Sequence, residues 1–391
     1  MSLLVRPASE LERRRLNDLF AQLCAIPSPS GDERACMERV VGELRALGLH
    51  PEEDAAAAAA GAGCGNVVVA IPGRAQRCVL LCAHVDTVAH DGPIEPVVED
   101  GAWHNAHAGI LGADNKAAVA VLLALAHRVA VEGSPVGLEL LFTVAEEDAL
   151  AGAKALDVTT LRSQWGYVFD HASPIGEIVM ASPTLFRFAA HLHGRAAHAG
   201  IRPEDGRSAV QAAARAVAAM PLGRLDPQTT ANVACVHGGT SHGTNVVPDR
   251  CAVTGEVRSL DAARAEATVA RLVDHLHDAA NDPECECDLD VTVEQLFAGY
   301  RHADDDTAVA AAEAALRACG HAPRRIATGG GSDANALQAA GLRCTNLANG
   351  TQRNHEPGEC VSVAALEGML DVSLSLLEEC AYESELRALG T

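Results

Sequence analysis

The chain has 391 residues, of which 48% are hydrophobic and 21% charged, a balance typical of folded rather than disordered proteins. Its formal net charge of −22 and its aromatic content of only 3% argue against a nucleic-acid-binding protein, because basic patches and base-stacking platforms are both lacking. This length allows two domains, each with a hydrophobic core of its own.

The sequence carries no export or membrane signal. Segment 1–20 lacks the unbroken apolar core of a signal peptide, and no later run approaches the roughly 20 apolar residues of a membrane-spanning helix. The thirteen cysteines are odd in number and scattered through predicted helices and strands, which favours free buried thiols over disulfides. We therefore expect a cytoplasmic protein with no membrane partner.

The first part of the chain alternates between predicted helices and strands. Helices are predicted over 10–23, 33–47 and 115–131, and the alanine run 55–60 is expected to be a surface connection. Hydrophobic runs predict buried strands over 67–71, 78–83, 138–145 and 166–169. The alternation predicts an α/β fold, in which a mostly parallel twisted sheet lies between layers of helices.

The pattern changes near Ser182. Strand, helix, strand, strand, helix and strand follow in that order, over 185–193, 208–220, 230–236, 250–260, 262–280 and 287–296. This is the order of a ferredoxin-like α+β domain, which we expect to be inserted into the larger one. Helices over 306–318 and 363–382 then resume the first pattern. The predicted domains are therefore 1–182 with 300–391, and 183–299.

Side chains that bind zinc stand where the predicted buried strands end. His84 and Asp86 follow one strand, Glu146 and Glu147 follow the next, and Asp170 follows a third. In open α/β sheets, ligands bind beyond the carboxyl ends of the parallel strands. Imidazole nitrogens and carboxylate oxygens are ligands of catalytic Zn²⁺. The sequence therefore predicts a metal site at this edge of the sheet.

Two of these pairs allow a division of roles. His84 and Asp86 are two residues apart in a strand, so their side chains lie on the same side. Both could bind metal, but we favour a role for Asp86 as acceptor of the second ring N–H of His84. Glu146 and Glu147 diverge in an extended backbone. One can therefore bind a metal ion while the other acts as general base on the attacking water.

Eight segments resemble the di-zinc exopeptidase and deacylase superfamily, and its peptidase T-like branch most closely. They are HVDTV, GILGADNKAAVA, FTVAEEDALAGAKALD, YVFDHASPIGEIV, HGRAAHAG, TNVVPD, GGGSDANAL and NGTQRNHE. The similarity covers nearly all of the chain and keeps the order of the motifs. It implies the zinc exopeptidase fold, with the inserted domain serving as a lid and as the interface of a homodimer.

The resemblance implies which residues bind metal. His84, Asp114 and Asp170 would hold one zinc ion, and Asp114, Glu147 and His355 would hold the other. Asp114 would then bridge the two ions. Co²⁺ or Mn²⁺ could replace Zn²⁺ at ligands of this kind.

The resemblance also implies the catalytic roles. Glu146 would be the general base, and Asp86 would orient His84. The family places a cis peptide bond after the bridging aspartate, here Asp114–Asn115. His198, in the segment HGRAAHAG, would donate a hydrogen bond to the developing oxyanion, often in the active site of the partner subunit.

Four further residues are candidates for substrate binding. Asn245 could supply a second donor, and Arg258 could bind a carboxylate through its planar guanidinium group, although a surface salt bridge is an equally open role for it. Gly330 and Ser332 lie in a glycine-rich turn before a predicted helix, whose N–H groups could receive a carboxylate. Two departures from the family pattern, at His171 and His242, bear on substrate choice.

The predicted activity is that of a metal-dependent aminopeptidase of the tripeptidase kind, which hydrolyses a terminal peptide bond of a small peptide. An N-acyl-amino-acid deacylase would use the same metals on a different amide bond. A non-catalytic binding protein on the same scaffold is the alternative from another class. A preference for a free α-amine on the substrate would indicate the aminopeptidase, and a preference for a blocked amine would indicate the deacylase.

Overall fold

The computed structural model describes residues 6–239 and 243–388, with side chains described as far as Tyr382. His242 lies outside the described residues. The chain divides into two compact units. The first unit comprises Met1–Met180, Arg301–Ala327 and Ser332–Thr391, and the second comprises Ala181–Tyr300 and Thr328–Gly331.

Helices and strands alternate along the described chain. The helices are α1 (Glu10–Cys24), α2 (Arg34–Ala46), α3 (Ala57–Ala60), α4 (Ala113–Glu132), α5 (Ala151–Ala155), α6 (Ala209–Ala219), α7 (Ala262–Asn281), α8 (Thr307–Ala318), α9 (Asp333–Ala339) and α10 (Val363–Ala388). The strands are β1 (Glu52–Glu53), β2 (Val67–Ile71), β3 (Gly73–His84), β4 (Pro96–Glu99), β5 (Ala102–Asn105), β6 (Ser134–Thr143), β7 (Trp165–His171), β8 (Glu177–Ser182), β9 (Thr184–His193), β10 (Gly223–Asp226), β11 (Thr229–Gly238), β12 (Arg250–Ser259), β13 (Asp288–Phe297), β14 (Tyr300–Arg301), β15 (Arg324–Ala327), β16 (Cys344–Ala348), β17 (Thr351–Gln352) and β18 (Cys360–Ser362).

A large sheet forms the centre of the first unit. Over the described residues its strand order is β1-β2-β6-β3-β7-β16-β8-β14, and β15 pairs with β8. The central strands β6, β3, β7 and β16 are parallel, whereas β2 and β8 are antiparallel to their neighbours β6 and β16. The last six residues of β3 are all buried, as expected for a strand covered on both faces. The predicted α/β fold is confirmed.

Helices cover the central strands. Helices α4 and α10 contact β3 and β6, and α9 contacts β7 and β16. The start of α1 is fixed by a reciprocal capping box, in which Ser9 and Glu12 satisfy each other's free backbone N–H groups. One continuous apolar cluster, which includes Phe20, Leu81 and Phe142, lies between these layers.

A small antiparallel sheet of the first unit was not predicted. Its strand order, among the residues described, is β17-β18-β5-β4. Strands of two to four residues are too short to show a hydrophobic alternation in the sequence. This sheet matters for the site because the connection 353–359 between β17 and β18 carries His355.

The second unit has the predicted ferredoxin-like order. Strands β9, β11, β12 and β13 form an antiparallel sheet in the order β11-β12-β9-β13, with β10 added beside β11. Helices α6 and α7 pack on this sheet and enclose a separate apolar core. Strand β10 was not predicted, because a four-residue strand with mostly polar residues lacks a periodic signal.

Some predicted boundaries were wrong. The alanine run contains the short helix α3, and β7 continues through Asp170 to His171 instead of ending before it. All thirteen cysteines are free thiols and nine of them are buried, which confirms the expected absence of disulfides. Over the described part of the chain, no helix combines the length and the apolarity needed to span a membrane.

Candidate metal centre

The ends of two parallel strands bring His84 and Asp170 together. β3 ends at His84, and its parallel neighbour β7 carries Asp170 one residue before its own end. His84 Nε2 lies 3.7 Å from Asp170 Oδ1 and 3.3 Å from Asp114 Oδ1. One ligand atom from each of these three residues falls within 4.8 Å of the other two. The Asp170 backbone is held by Asn346 of β16, which bonds to both its N–H and its carbonyl.

A second set of ligand atoms shares Asp114. His355 Nε2 lies 3.2 Å from Asp114 Oδ2 and 2.8 Å from Glu147 Oε1. Asp114 thus presents Oδ1 to His84 and Oδ2 to His355. One carboxylate that serves two groups of donors through its two oxygens has the arrangement of a bridging ligand between two cations.

The turn that presents Asp114 has an unusual backbone. Gly112 has a φ of 74°, in the left-handed region, and Asp114 and Asn115 depart from helical dihedral angles at the start of α4. The Asp114–Asn115 peptide bond is cis, as the family resemblance implied. The regular part of α4 therefore begins only after Asn115.

The donor set fits metal ions. Three buried atoms of the cluster, His84 Nε2, Asp114 Oδ1 and Glu147 Oε1, have no hydrogen-bond partner of suitable geometry. A buried polar atom without a partner costs free energy, which cations at these two positions would offset. Imidazole nitrogens with carboxylate oxygens are the donors that Zn²⁺ accepts in catalytic sites.

Burial and mutual charge strongly shift the pKa values in the cluster. Burial, and then the charge of Asp114, raise the pKa of Asp170 to about 8. Burial, and then the charge of Asp170, raise the pKa of Glu146 well above its ordinary value. Burial also acts to raise the pKa of Asp114, but its close contacts with the His355 and His84 rings outweigh burial and lower it. Contacts with Asp114 and then Glu147 raise the pKa of His355 to about 10.

Asp86 organises the backbone of the two glutamates. It is fully buried, and its carboxylate accepts the N–H groups of Glu146 at 3.0 Å and Glu147 at 3.1 Å and the hydroxyl of Ser30 at 2.7 Å. His84 Nδ1 lies 3.0 Å from the Asp86 backbone carbonyl and 3.4 Å from its Oδ1. The predicted contact is therefore corrected: the closer partner of the ring is the carbonyl, because the carboxylate is engaged by the glutamate backbone.

Ser30 was missed in the sequence. It lies in the loop after α1, and its neighbour Ser28 fixes this loop to the end of β3 by donating to the Val85 carbonyl at 2.8 Å. The Thr87 N–H in turn donates to the Ser28 carbonyl at 2.9 Å. A serine in a proline-containing loop carries no pattern that indicates which distant carboxylate it will meet.

The segment around Glu146 is tightly turned. Ala145, Ala149 and Leu150 have φ values of 48°, 57° and 64°, in the left-handed region that residues other than glycine rarely adopt. Glu146 is buried and Glu147 is partly buried. Several left-handed residues within so short a segment are typical of functional sites.

In the second unit, His198 and Asn245 lie on paired segments. The Ala199 N–H donates to the Asn245 carbonyl at 2.8 Å, and the Val247 N–H donates to the Ala197 carbonyl at 2.9 Å. His198 is exposed, and its Nδ1 accepts the N–H of Gly200 at 3.2 Å. A neutral ring with Nδ1 as acceptor carries its proton on Nε2, which makes Nε2 a donor.

The guanidinium group of Arg258 is paired with Glu256 and is therefore not available to bind a substrate carboxylate. Its Nε and Nη2 lie 2.8 and 3.2 Å from the two carboxylate oxygens of Glu256, and its Nη1 donates to the Gly329 carbonyl at 3.2 Å. The planar guanidinium is thus engaged in a two-point pair on the sheet. The structure favours the salt-bridge alternative over the predicted role in substrate binding.

The predicted carboxylate site at the glycine-rich turn receives no support. The Gly330 N–H donates to Thr328 Oγ1 at 3.1 Å, and the N–H of the buried Ser332 donates to Asn335 Oδ1 at 3.2 Å. Helix α9 then begins with Asp333, a buried acidic residue whose pKa is raised to about 6 by burial. Occupied N–H groups and an acidic first residue disfavour an anion here.

His171 has a partner of its own in the first unit. Its Nε2 lies 3.2 Å from Glu177 Oε2. Burial, and then the charge of Arg324, lower the pKa of His171.

Comparison with known proteins agrees with this architecture. Residues 183–284 match the family model of the peptidase dimerisation domain, and residues 66–170 match that of peptidase family M28. The chain is 33% identical over 373 residues to the uncharacterized protein YqjE of Bacillus subtilis, an alignment covering 95% of this chain and 100% of YqjE.

Two solved structures are similar over almost the full chain. Aminopeptidase PepT from Bacillus cereus superposes with a TM-score of 0.84 at 34% identity, covering 94% of this chain and 99% of PepT. A tripeptidase from Staphylococcus aureus superposes with a TM-score of 0.88 at 31% identity, covering 95% of this chain and 99% of the other.

Proposed function

The chain belongs to the peptidase T-like metallopeptidases and is a metal-dependent exopeptidase, and on that premise we propose that it removes the amino-terminal residue of tripeptides at a centre of two zinc ions. The single observation that carries the two-metal proposal is the position of Asp114. Its two carboxylate oxygens lie 3.3 Å from His84 Nε2 and 3.2 Å from His355 Nε2.

Five side chains would hold the ions. His84, Asp114 and Asp170 form one set, and Asp114, Glu147 and His355 form the other. When bound, the two ions supply Lewis acidity to the substrate carbonyl and to the attacking water. We prefer Zn²⁺ because the set combines imidazole with carboxylate, although the same donors accept Co²⁺ or Mn²⁺.

Glu146 has the properties of the general base. It is buried beside the ligands but belongs to neither set that shares Asp114, and its backbone N–H is fixed by Asp86. Its carboxylate takes a proton from the attacking water and passes it to the nitrogen of the leaving amine. A carboxylate whose pKa is raised by burial is a stronger base than one in water.

His198 is proposed to stabilise the oxyanion, with Asn245 beside it as a second donor. The hydrogen bond from Gly200 leaves His198 Nε2 as the donor atom. The match of residues 183–284 to the dimerisation model supports a homodimer formed through the second unit. The tripeptide preference rests on the similarity to the Staphylococcus aureus tripeptidase.

The test is a substrate panel with controlled metal content. Metal would be removed by chelation and then restored as Zn²⁺, Co²⁺ or Mn²⁺ before hydrolysis of free-amine tripeptides, dipeptides and N-acyl amino acids is measured. The proposal predicts cleavage of free-amine tripeptides that is lost with chelation and returns with metal. Cleavage of N-acyl amino acids alone would make the enzyme a deacylase. If metal is bound but none of these substrates is hydrolysed, the result would indicate a binding protein.

A further inference from the structure

A buried glutamate joins the two segments that carry Asp114 and His355. Glu359 is only 1% exposed and lies on the connection between β17 and β18, four residues after His355. Its Oε2 accepts the N–H groups of Leu111 and Gly112, both at 2.8 Å, and its Oε1 accepts the N–H of Asp114 at 2.7 Å. One side chain therefore receives three backbone donors from the turn that presents Asp114.

The N–H groups of Leu111, Gly112 and Asp114 have no hydrogen-bond acceptor within the regular helix. Leu111 and Gly112 precede α4, and Asp114 is non-helical at its start, so the regular hydrogen bonds of the helix do not pair these N–H groups. Bonds from N–H groups to a carboxylate are roughly twice as strong as bonds between neutral groups. Glu359 and Asp114 are 245 residues apart in the chain, so this contact joins two segments that are distant in sequence.

We propose that Glu359 is a positioning residue of the metal centre, which holds the bridging aspartate and His355 at the separation that their shared metal ion requires. The inference rests on the proposed two-metal function. The described hydrogen bonds of Glu359 are to backbone N–H groups and not to ligand atoms. It acts through the Asp114 backbone on one side and through the connection carrying His355 on the other.

The first unit offers a matched control. Glu139 is 3% exposed and accepts the N–H groups of Arg162 and Ser163, both at 3.0 Å, together with the Ser163 hydroxyl. Like Glu359, it is a buried carboxylate that accepts hydrogen bonds from the backbone of a loop distant in sequence. None of its described partners is a proposed metal ligand. A comparison of substitutions at Glu359 and Glu139 therefore distinguishes a general structural role from a specific effect on metal binding.

Substitution by glutamine changes the chemistry with little change of shape. In Glu359→Gln one acceptor oxygen becomes an NH₂ donor, which then faces at least one backbone N–H of the Asp114 turn. In Glu139→Gln the same donor-to-donor conflict arises at the 162–163 loop. Both variants should lose a comparable amount of thermal stability when metal-free.

The experiment titrates Zn²⁺ into chelated wild-type protein and both variants, in competition with a chromophoric chelator, and records metal-free melting temperatures. We expect Glu359→Gln to lower the affinity for at least one of the two ions by about 10–100-fold, which is the range for residues that support metal ligands. Glu139→Gln should bind both ions with wild-type affinity. The kcat of Glu359→Gln should recover at saturating Zn²⁺ with an unchanged KM.

Two results would overturn the inference: wild-type metal affinity in Glu359→Gln, or an equal loss in Glu139→Gln. If Glu359→Gln does not fold, Glu359→Asp and Glu139→Asp replace the pair, with the same expected contrast in metal affinity. Failure of the wild-type protein to bind two ions would instead refute the proposed function itself.

Discussion

The metal-ligand region of the first unit and the His198–Asn245 region of the second unit are built in opposite ways. In the first, the side chains of four proposed ligands are at most 11% exposed, and that of His355 is 48% exposed. The buried carboxylate of Asp86 bonds to the backbone of Glu146 and Glu147. In the second, His198 and Asn245 are exposed; their backbones are paired with neighbouring segments, and the His198 ring accepts the N–H of Gly200.

The difference follows from the cost of burying charge. A buried carboxylate or imidazole needs fixed partners, because water is not available to solvate it. In the ligand region, hydrogen bonds therefore hold the backbone of Asp114, Glu146 and Glu147 in place before any ion binds. An exposed histidine pays no such cost, and its Nε2 can meet a substrate group that arrives later. We thus expect substitutions of the proposed ligands and their supports in the first region to change metal binding, and substitutions in the second to change turnover alone.

Asp114→Ala should have the largest effect, because it removes a ligand from both metal positions at once. We expect loss of both ions and of all metal-dependent hydrolysis. Metal content per chain, measured by mass spectrometry after removal of free metal, checks this. Two zinc ions retained per chain would refute the bridging role.

Glu146→Ala should separate catalysis from metal binding within the same region. Both ions should remain, while kcat falls by about 10²–10⁴-fold because the proton acceptor is lost. Asp148→Ala is a matched control, since Asp148 is an exposed acid of the same loop and should leave kcat unchanged. Near-normal turnover in Glu146→Ala would exclude this residue as the base.

His198→Ala tests the exposed region. We expect kcat to fall by about 10²–10³-fold, the usual effect of removing one oxyanion donor, with metal content unchanged. His191→Ala removes another exposed histidine of the second unit and should behave as wild type. A loss of bound metal in His198→Ala would contradict the division between the two regions.

The smallest effect is expected for Asp306→Ala, which removes a carboxylate outside the proposed metal centre. It caps α8, and its bond with His302 lowers its pKa to about 2, below the ordinary 3.8. Its contribution to stability should therefore be complete above the ordinary pKa and decline as the pH falls towards 2. Asp306→Ala should lower the free energy of unfolding by about 1 kcal/mol at pH 7.

Urea unfolding of the metal-free proteins at pH 7 and pH 3 checks this. The difference between wild type and Asp306→Ala should be smaller at pH 3. A difference independent of pH would show that the charge of Asp306 does not contribute. Metal affinity at pH 7 should be unchanged in the variant, in contrast to the substitutions of the ligand region.

Much of the central sheet, and part of the proposed metal centre, could be predicted from the hydrophobic pattern of the sequence. Hydrophobic runs located the central strands, and the polar residues at their ends located His84, Glu147 and Asp170, because parallel strands place their ends together. The resemblance supplied Asp114 and His355, which no strand pattern indicates. Its cis peptide bond at Asp114–Asn115 is present in the structure.

What sequence did not reveal are the supporting contacts. Ser30 and Glu359 act through hydrogen bonds to residues far away in the chain, one from Ser30 and three to Glu359, which leave no periodic signal. The His84 ring lies nearer to a backbone carbonyl than to the predicted carboxylate, and Arg258 meets Glu256 two residues away in its own strand. Such choices depend on atomic distances after folding, which residue types alone do not set.

The central claim is that the first unit binds two metal ions that share Asp114. The most direct test is anomalous diffraction at the zinc edge from crystals of the wild-type protein supplied with Zn²⁺. We predict two peaks, one among His84, Asp114 and Asp170 and the other among Asp114, Glu147 and His355. A single peak, or two peaks that do not both contact Asp114, would contradict the account.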